Sequence, residues 1–449
     1  MKHVFSSTQH HGQEPGLHLV VSPKTGVVKS LGHLFRNPGE PGPHIVSSTI
    51  TAFHRFSDNK ADFATTGTSL NPKQAHWSAM GESVERYCAA LSDFQELVPA
   101  TYKELLDSEK PALHPDRLNL FTQEQYDSEG FPFSRLQEEQ RISWINGSRF
   151  DDGSRIFVPA NFVFNQYCPA QDEARIYPDI HPGVASGFSA ERALTGAMLE
   201  IVERDTMMIH WLNSIPVTGI AKDNEYERVL SDCNIPPHLN LHLAFFETDL
   251  PATCIFALLM DEQNGLIGGG CSAGFFAPAV ARKATCEAIQ ILRLSQEVKR
   301  GERGRLASKK GPIPTAFLDP EARKKLPMTE LLYNLGFYLD TDNWDTLHDL
   351  ISPAKIIPLQ DCSKLPTKDK LPTLVAGFSD AGLSPICVEL TTPDVAELGW
   401  LVFRVIAPGA VPNLPTAYPP SAVNRLRTVP RKLGHATPEK WNQAPMPYA

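Results

Sequence analysis

Three segments of the chain carry a glutamate, two intervening residues and then a second glutamate or its amide. They are Glu82-Ser83-Val84-Glu85, Glu200-Ile201-Val202-Glu203 and Glu287-Ala288-Ile289-Gln290. Residues three positions apart lie on one face of a helix, so each pair would present both side chains in the same direction. An arginine directly follows each of the first two pairs, at Arg86 and Arg204. The spacing therefore predicts three helices with an acidic face.

Apolar residues surround these acids, for example Met80 in the first segment and Ile201 in the second. An unpaired buried charge costs many kcal/mol, so acids in such a setting need partners. If the three faces converge, five carboxylates share one site, and their repulsion raises pKa values or requires cations. Mg²⁺ commonly bridges carboxylates to phosphates. The pattern favours a pocket for a magnesium nucleotide; a structural set of buried Glu–Arg pairs and a solvated helix face are the alternatives that the residues leave open.

The common nucleotide and hydrolase motifs do not occur in the sequence. There is no G-x-x-x-x-G-K-[ST], no G-x-S-x-G and no H-E-x-x-H. The run Gly268–Gly274 is glycine-rich but does not fit G-x-G-x-x-G, and it predicts a tight turn from a strand into a helix, with close approach to a ligand as the alternative. We interpret His76, His181 and His210 as packing or surface residues.

The acidic motifs fall in three predicted helices, at 72–91, 190–212 and 278–299. Asn71-Pro72 is typical of a helix start, and Ser189 is a candidate N-cap. Apolar runs predict strands, which lie at 18–21, 156–158, 241–246, 253–259, 386–390 and 400–406. Helices that alternate with strands indicate an α/β (α+β) fold in which helices cover a sheet.

Composition excludes several classes of protein. The 449 residues have a formal net charge of −9, which disfavours binding to nucleic acid. No apolar run reaches about 18 residues and the start lacks a signal core, so we expect no membrane contact and a cytoplasmic location. Eight scattered cysteines without Cys-x-x-Cys predict reduced thiols and no structural zinc site. Several of the 38 prolines lie near the C-terminus, which predicts an extended, helix-poor arm.

Several of these segments resemble signatures of the YcaO family. The segment 74–87 resembles the first signature, 181–205 the second and 282–290 the third. Shorter stretches at 22–26 and 403–409 are also similar. The resemblance implies a YcaO-type fold with sheets and helices around a central ATP pocket. It also implies N-terminal strands and loops of the same body over 1–60, a catalytic domain over 61–410 and a proline-rich arm over 411–449 that reaches toward the active site.

The resemblance further implies ATP and Mg²⁺ as cofactors. The ATP-binding residues that it implies are Ser78, Glu82, Glu85, Arg86, Ser186, Glu191, Glu200, Glu203, Arg204, Glu287, Gln290 and Arg404. The Mg²⁺ ligands that it implies are the acids Glu82, Glu85, Glu200, Glu203 and Glu287.

The end of the chain and two internal positions depart from the family pattern. Azoline-forming members often end in Pro-x-Pro-x-Pro, where the chain end is assigned the role of a base; here Pro445, Pro447 and Ala449 occupy those positions. A catalytic tail and a packing arm are equally compatible with this ending. A Gly-Lys-Gly segment that is common in the family is replaced by Gly67-Thr68-Ser69, and Phe188 stands where an asparagine is frequent.

The activity that the resemblance implies is ATP-dependent cyclodehydration of Cys, Ser or Thr in a ribosomally made precursor peptide, with phosphorylation of the backbone amide oxygen. Because no additional N-terminal domain is recognised, we expect a separate E1-like (ThiF-like) partner that binds the leader peptide. The resemblance also implies a homodimer. The alternatives are thioamide or macroamidine formation on a peptide, and a non-catalytic peptide-binding scaffold.

Overall fold

The computed structural model describes residues 17–36, 39–52, 64–92, 95–169, 173–179, 182–300, 321, 324–325, 328–362 and 368–448. The prediction of a mixed helix and sheet fold is confirmed in these residues. None of the helices in these ranges has the length and apolar character needed to cross a bilayer. The eight cysteines, all within these ranges, form no disulfide, and seven of them are buried.

Helices occur along the whole described chain. In order they are α1 (Leu17–Val20), α2 (Pro72–Ala90), α3 (Tyr102–Asp107), α4 (Gln123–Tyr126), α5 (Ala160–Val163), α6 (Ala190–Asn213), α7 (Asn224–Asp232), α8 (Ala277–Lys299), α9 (Tyr333–Tyr338), α10 (His348–Ile351), α11 (Lys370–Asp380), α12 (Pro393–Glu397) and α13 (Arg425–Lys432). The long helices α2, α6 and α8 are the three that the acidic motifs predicted.

The strands between these helices build three sheets. In order they are β1 (Val28–Leu34), β2 (His44–Ile50), β3 (Ala64–Ser69), β4 (Val98–Ala100), β5 (Ile142–Arg149), β6 (Arg155–Pro159), β7 (Val184–Gly187), β8 (Thr218–Ile220), β9 (Asn240–Phe246), β10 (Thr253–Asp261), β11 (Leu266–Gly274), β12 (Lys355–Ile357), β13 (Ile386–Glu389) and β14 (Leu401–Ile406). The sheet orders are β1-β2-β3, then β11-β10-β9-β8-β12, then β4-β5-β13-β14-β7 with β6 paired to β5. Every pairing is antiparallel except β8 with β12.

Local signals fix where the long helices begin. The Asn71 side chain accepts hydrogen bonds from the backbone N–H groups of Lys73 and Gln74, at 2.9 and 3.2 Å. Ser189 does the same for the N–H of Arg192, at 3.3 Å. Each cap satisfies amide groups that the first helical turn leaves unpaired. The predicted caps and helix starts are confirmed.

The glycine-rich run at 268–274 is part of strand β11, so the predicted turn is wrong. A Cβ on Gly268 would lie 2.2 Å from the carbonyl oxygen of Ala288, and one on Gly270 would lie 2.1 Å from that of Ala284. Both of these oxygens belong to α8. The glycines therefore let the helix backbone lie directly on the strand.

The predicted strand at 18–21 is also wrong. Residues 17–20 form the single turn α1, and only Val21 makes a β-bridge, with Val28. A four-residue apolar run does not distinguish a strand from a helical turn by its periodicity. The other predicted strands are confirmed within one or two residues at their ends.

The predicted segment boundaries can be placed on this fold. Strands β1 and β2 precede residue 60, yet they share a sheet with β3, which follows it. In the arm, residues 425–432 form the helix α13, which contains Pro430. The arm is therefore not extended throughout. Ala449, at the end of the predicted catalytic tail, lies outside the described residues.

Candidate active site

The three acidic helices meet because they share strands. Helices α2 and α6 both pack against β7, α2 and α8 both contact β3, and α6 and α8 both pack on β11. Gly67 in β3 permits this closeness, since a Cβ there would lie 2.2 Å from the backbone nitrogen of Ala79. The acidic faces of the helices are thereby turned toward one region between the sheets.

On α2, both glutamates are hydrogen-bonded to strand backbones. The N–H of Thr66 donates to Oε2 of Glu82 at 3.3 Å, and the N–H of Ser186 donates to Oε1 of Glu85 at 2.8 Å. Arg86 Nη2 lies 3.4 Å from Oε1 of Glu82. The predicted residues Ser186, Glu82, Glu85 and Arg86 are thus brought together.

On α6, the second pair is held in a similar way. The N–H of Gly183 donates to Oε2 of Glu200 at 2.9 Å. Glu203 is only 4% exposed, and its Oε1 lies 2.7 Å from Nη1 of Arg204. The Arg204 guanidinium therefore compensates the more deeply buried acid of the pair.

On α8, the two carboxylate oxygens of Glu287 have different surroundings. Nζ of Lys283 lies 3.6 Å from Oε1 of Glu287. Among the described residues, Oε2 of Glu287 is buried and has no hydrogen-bond partner. Gln290 instead binds across to β3, where its Oε1 accepts a hydrogen bond from Thr68 Oγ1 at 2.6 Å. The last residue of the third motif is therefore used to join α8 to β3.

The pKa values of the acids show that these groups share one electrostatic environment. Burial, together with the charges of Glu200 and Glu82, raises the pKa of Glu85 to about 8 against the hydrogen bond from Ser186. Burial also raises the pKa of Glu203, with Glu287 and Glu200 adding to the effect.

The pKa values of Glu287 and Lys283 on α8 are also shifted by the charges on the other helices. Burial raises the pKa of Glu287, and Glu200 contributes in the same direction. The charges of Glu287, Glu203 and Glu200 raise the pKa of Lys283 to about 12. Charges on the three helices therefore act on one another, as expected if the acidic faces of the helices converge. We refer to the five predicted acids as the acidic cluster.

Two predicted residues lie farther from this cluster, and one lies at its edge. Glu191 is exposed in the first turn of α6, nine residues before Glu200, which is about 13 Å along a helix. Ser78 is exposed on α2, one turn before Glu82. Arg404 is 4% exposed on β14 and donates from Nε to the carbonyl oxygen of Phe162 at 3.1 Å. Burial lowers its pKa, and Glu200 is among the charges that act on it in the opposite direction.

Three residues that sequence reasoning missed lie in or beside the cluster. Lys283 stands four residues before Glu287 on α8, a spacing that could have predicted an ion pair. Asp179 accepts a hydrogen bond from the N–H of Gln166 at 3.0 Å, and Arg86 and Arg404 act on its charge. Tyr448 lies against Arg204. Asp179 and Tyr448 are distant in sequence from their partners and carry no local signal.

The proline-rich tail enters the same region. Pro445 and Pro447 are both buried. The hydroxyl of Tyr338 donates to the carbonyl oxygen of Pro445 at 2.6 Å, and Asn334 Nδ2 donates to that of Tyr448 at 2.8 Å. Together with the contact between Tyr448 and Arg204, these bonds place the tail beside the acidic cluster.

The residues present fit a magnesium nucleotide. Within the described part of the chain, no three His, Cys, Asp or Glu side chains converge as a complete set of protein ligands. Mg²⁺ is usually held by one or two carboxylates together with phosphate oxygens and water, so it does not need such a set. The buried, unpaired Oε2 of Glu287 and the guanidinium of Arg204 offer one position for a cation and one for a phosphate.

The chain resembles several known proteins. An uncharacterized protein of Methanothermobacter thermautotrophicus is 30% identical over 139 residues, which is 31% of this chain and 32% of that protein. A heterocyclase solved with substrate and cofactor has a TM-score of 0.73 at 22% identity, over 96% of this chain and 56% of its own. The chain thus spans about a third of the first protein's length and somewhat over half of the second's.

Two further solved structures share the fold. YcaO from Methanopyrus kandleri, bound with AMPPCP and Mg²⁺, has a TM-score of 0.60 at 19% identity, over 87% of this chain and 91% of its own. A chain of the E. coli microcin synthetase McbBCD complex has a TM-score of 0.54 at 13% identity, over 84% and 87%. At such identities the likeness establishes the fold. A family model described as YcaO cyclodehydratase, binding ATP and Mg²⁺, matches residues 66–411, and the chain therefore belongs to the YcaO family.

Proposed function

We propose that this protein catalyses ATP- and Mg²⁺-dependent cyclodehydration of Cys, Ser or Thr residues in a ribosomally made precursor peptide, giving thiazolines or oxazolines. The observation that carries the proposal is the convergence of acids from three helices on one cluster with raised carboxylate pKa values. Such a cluster is unfavourable without cations, and the cofactors of the family, ATP and Mg²⁺, supply them.

In this proposal, the acidic residues would bind Mg²⁺ and the basic residues would bind phosphate. Glu82, Glu85, Glu200, Glu203 and Glu287 would supply the carboxylates for Mg²⁺, one or two to each ion together with phosphate oxygens and water. Ser78, Ser186, Glu191, Gln290 and Arg404 would complete the nucleotide pocket. Arg86, Arg204 and Lys283 would neutralise phosphate charge, because each already lies beside one of these acids. Positioning and charge neutralisation are the main contributions that a protein makes to phosphoryl transfer.

The proposed reaction forms a ring between a side chain of the peptide and the preceding carbonyl carbon. The thiol or hydroxyl of the modified residue adds to the preceding carbonyl carbon and gives up its proton. ATP would supply a phosphoryl group to the carbonyl oxygen and be converted to ADP. That oxygen would then leave as phosphate while the ring nitrogen loses its amide proton to solvent and forms the C=N double bond. The tail, with Pro445 and Pro447 buried in the site, would accept the proton through its end at Ala449.

The partners belong to the same proposal. A precursor peptide is the substrate, an E1-like (ThiF-like) protein would deliver it, and we expect a homodimer in the cytoplasm. The structural likeness to a heterocyclase bound to its substrate and to a chain of a microcin synthetase complex supports the peptide substrate and the partner protein. Phe188, the residue at the position of the family's asparagine, packs with Trp77 and Trp400, with ring centroids at 5.7 and 4.5 Å.

Reconstitution tests the activity. The chain, a candidate precursor peptide and the E1-like protein are incubated with Mg²⁺ and ATP, and the peptide is analysed by mass spectrometry. Each ring formed lowers the mass by about 18 Da, whereas thioamide formation raises it by about 16 Da. We expect the loss of mass together with one phosphate released per ring.

Matched variants connect the activity to the site. Glu203→Gln and Glu85→Gln keep side-chain size and remove a charge, and each should lower the rate at least about a hundredfold. Glu129→Gln makes the same change at an exposed position and should leave the rate as it is. Ring formation at the normal rate in both site variants would refute the site. A gain in mass would replace cyclodehydration with thioamidation, and binding of peptide without any change in mass would indicate a scaffold.

A further inference from the structure

The tail is fixed in the body at three backbone carbonyls. Trp211 Nε1 donates to the carbonyl oxygen of Ala444 at 2.7 Å, the Tyr338 hydroxyl donates to that of Pro445, and Asn334 Nδ2 donates to that of Tyr448. The donors belong to α6 and α9, which are far apart in sequence. Because backbone carbonyls are bound, the register of the tail does not depend on its side chains.

Strand β11 has a glycine at the position where the tail lies against it. A Cβ on Gly269 would lie 1.9 Å from the carbonyl oxygen of Pro447. Real Cβ atoms do not approach an oxygen so closely, so only glycine fits at this position of β11. Gly268 and Gly270 face α8, on the opposite side of the strand. The three consecutive glycines therefore serve two neighbours, the helix and the tail.

In this bound position of the tail, the side chain of Tyr448 lies against Arg204. Arg204 Nη2 donates a hydrogen bond to the hydroxyl oxygen of Tyr448 at 2.5 Å, and Arg204 Cζ lies 4.4 Å from the centre of the Tyr448 ring. On its other side, Nη1 of Arg204 faces Glu203. The guanidinium is thus held between a phenol and a carboxylate, which restricts a side chain that otherwise has considerable rotamer freedom.

We propose that Tyr448 is a positioning residue that holds the Arg204 guanidinium in the orientation in which it meets the phosphates of a bound nucleotide. The inference rests on the proposed function, because it gives Arg204 a phosphate to bind. It adds a role for the tail that a side chain carries and that requires nothing of the chain end. Tyr448 acts only through Arg204, so its effect should disappear when that guanidinium is replaced.

The test measures binding rather than turnover. The full-length chain is titrated with a nonhydrolysable ATP analogue in the presence of Mg²⁺ by isothermal calorimetry. Tyr448→Phe removes the hydroxyl and keeps the ring, and we expect about tenfold weaker binding, the loss typical of one hydrogen bond to a charged group. Tyr448→Leu also removes the ring and should weaken binding further. Tyr418→Phe, a tyrosine of the same arm that packs on Phe131 and Phe133, is the matched control and should bind like the wild type.

A double-mutant cycle separates positioning from general support. In an Arg204→Lys background, Tyr448→Phe should change affinity by less than about twofold. An equal tenfold loss in both backgrounds, or wild-type affinity in Tyr448→Phe, would overturn the inference while the proposed function stands. A wild-type chain that binds no Mg-nucleotide would instead overturn the proposed function and the inference with it. Should Tyr448→Leu fail to fold, Tyr448→Phe decides alone, since it removes a single oxygen atom.

Discussion

The surroundings of the Glu85 carboxyl group favour its neutral form in the protein without ligand. Burial raises its pKa to about 8, and the neighbouring charges of Glu200 and Glu82 act in the same direction. The hydrogen bond from the N–H of Ser186 favours the charged form but does not compensate for burial. A cation that binds this carboxylate must therefore displace a proton, which makes metal binding dependent on pH.

The same shift predicts how stability changes with pH. The pKa of Glu85 lies near 4.5 in the unfolded chain and near 8 in the folded one, so between these values the folded state holds a proton that the unfolded state has lost. The contribution of this group to stability is therefore complete below the lower value and is lost as the pH rises through the upper one. Glu85→Gln stays neutral at all pH values, and its carbonyl oxygen can still accept from Ser186.

Urea denaturation of the ligand-free protein measures this effect. At about pH 9 the free energy of unfolding of Glu85→Gln should exceed that of the wild type by an amount on the order of 2 kcal/mol, and at about pH 4 the two should agree. Glu129→Gln, at an exposed position, serves as the control. An equal gain at both pH values would show that packing, and not titration, distinguishes the variant. A site that is more stable without its acid is the expected cost of a binding function.

At this scale the sequence predicted the acids but not all of the cations. The spacing of the glutamates is a local property, and helical geometry carries it into the structure unchanged. Tyr448 meets Arg204 only because the chain returns after more than two hundred residues. No periodicity in either segment contains that information.

Among the secondary structure elements, the long helices were predicted well and strand β11 was not. Asn71 and Ser189 cap their helices through hydrogen bonds within three residues, so the signal and its effect are local. The glycines of β11 are explained by the backbones of α8 and of the tail. Glycine in a run is read as a turn from sequence alone, because a contact with a distant backbone leaves no mark in the neighbouring residues.

Gly269→Ala tests whether the tail is bound against strand β11. The added Cβ would overlap the carbonyl oxygen of Pro447, so either the tail or the strand must move. We expect the tail to leave, because strand β11 is paired with β10 along its whole length whereas the tail is held by a few hydrogen bonds, and its segment 442–448 should become sensitive to protease. The measurement is limited proteolysis followed by mass spectrometry. Gly32→Ala, in strand β1 with open space around it, is the matched control and should digest like the wild type. Equal protection of the tail from protease in both variants would contradict the proposed contact between Gly269 and Pro447.

At the scale of the whole molecule, the sequence indicated sheets covered by helices but not how the strands are ordered. Strand β8 pairs in parallel with β12, which lies far along the chain, and the arm returns to α6, where the N–H of Asn442 donates to the carbonyl oxygen of Leu212 at 2.8 Å. Such pairings depend on which surfaces fit together after the elements have formed. Short apolar runs specify that a strand exists but not its neighbour.

One buried ion cluster ties the arm to the body, and its loss should unfold the protein more readily. Arg425 of α13 donates from Nη2 to Asp205 and to Asp249, at 2.6 Å each, and all three side chains are buried. Arg425→Leu would leave two buried carboxylates without their main cation, so we expect a loss of about 3–5 kcal/mol in the free energy of unfolding, measured by urea denaturation near neutral pH. Arg228→Leu, which breaks the exposed ion pair of Arg228 with Glu225 on α7, should cost less than about 1 kcal/mol. Burial alone would raise the pKa of Asp249, but its bonds with Arg425 lower the pKa below its ordinary value. The stability that this pair contributes is therefore present above the ordinary carboxyl pKa and is lost as the pH falls. The difference in free energy of unfolding between Arg425→Leu and the wild type should accordingly become smaller in acid. Losses of equal size in the two variants would mean that the arm is held by its apolar contacts and that the buried charges contribute no more than an exposed pair.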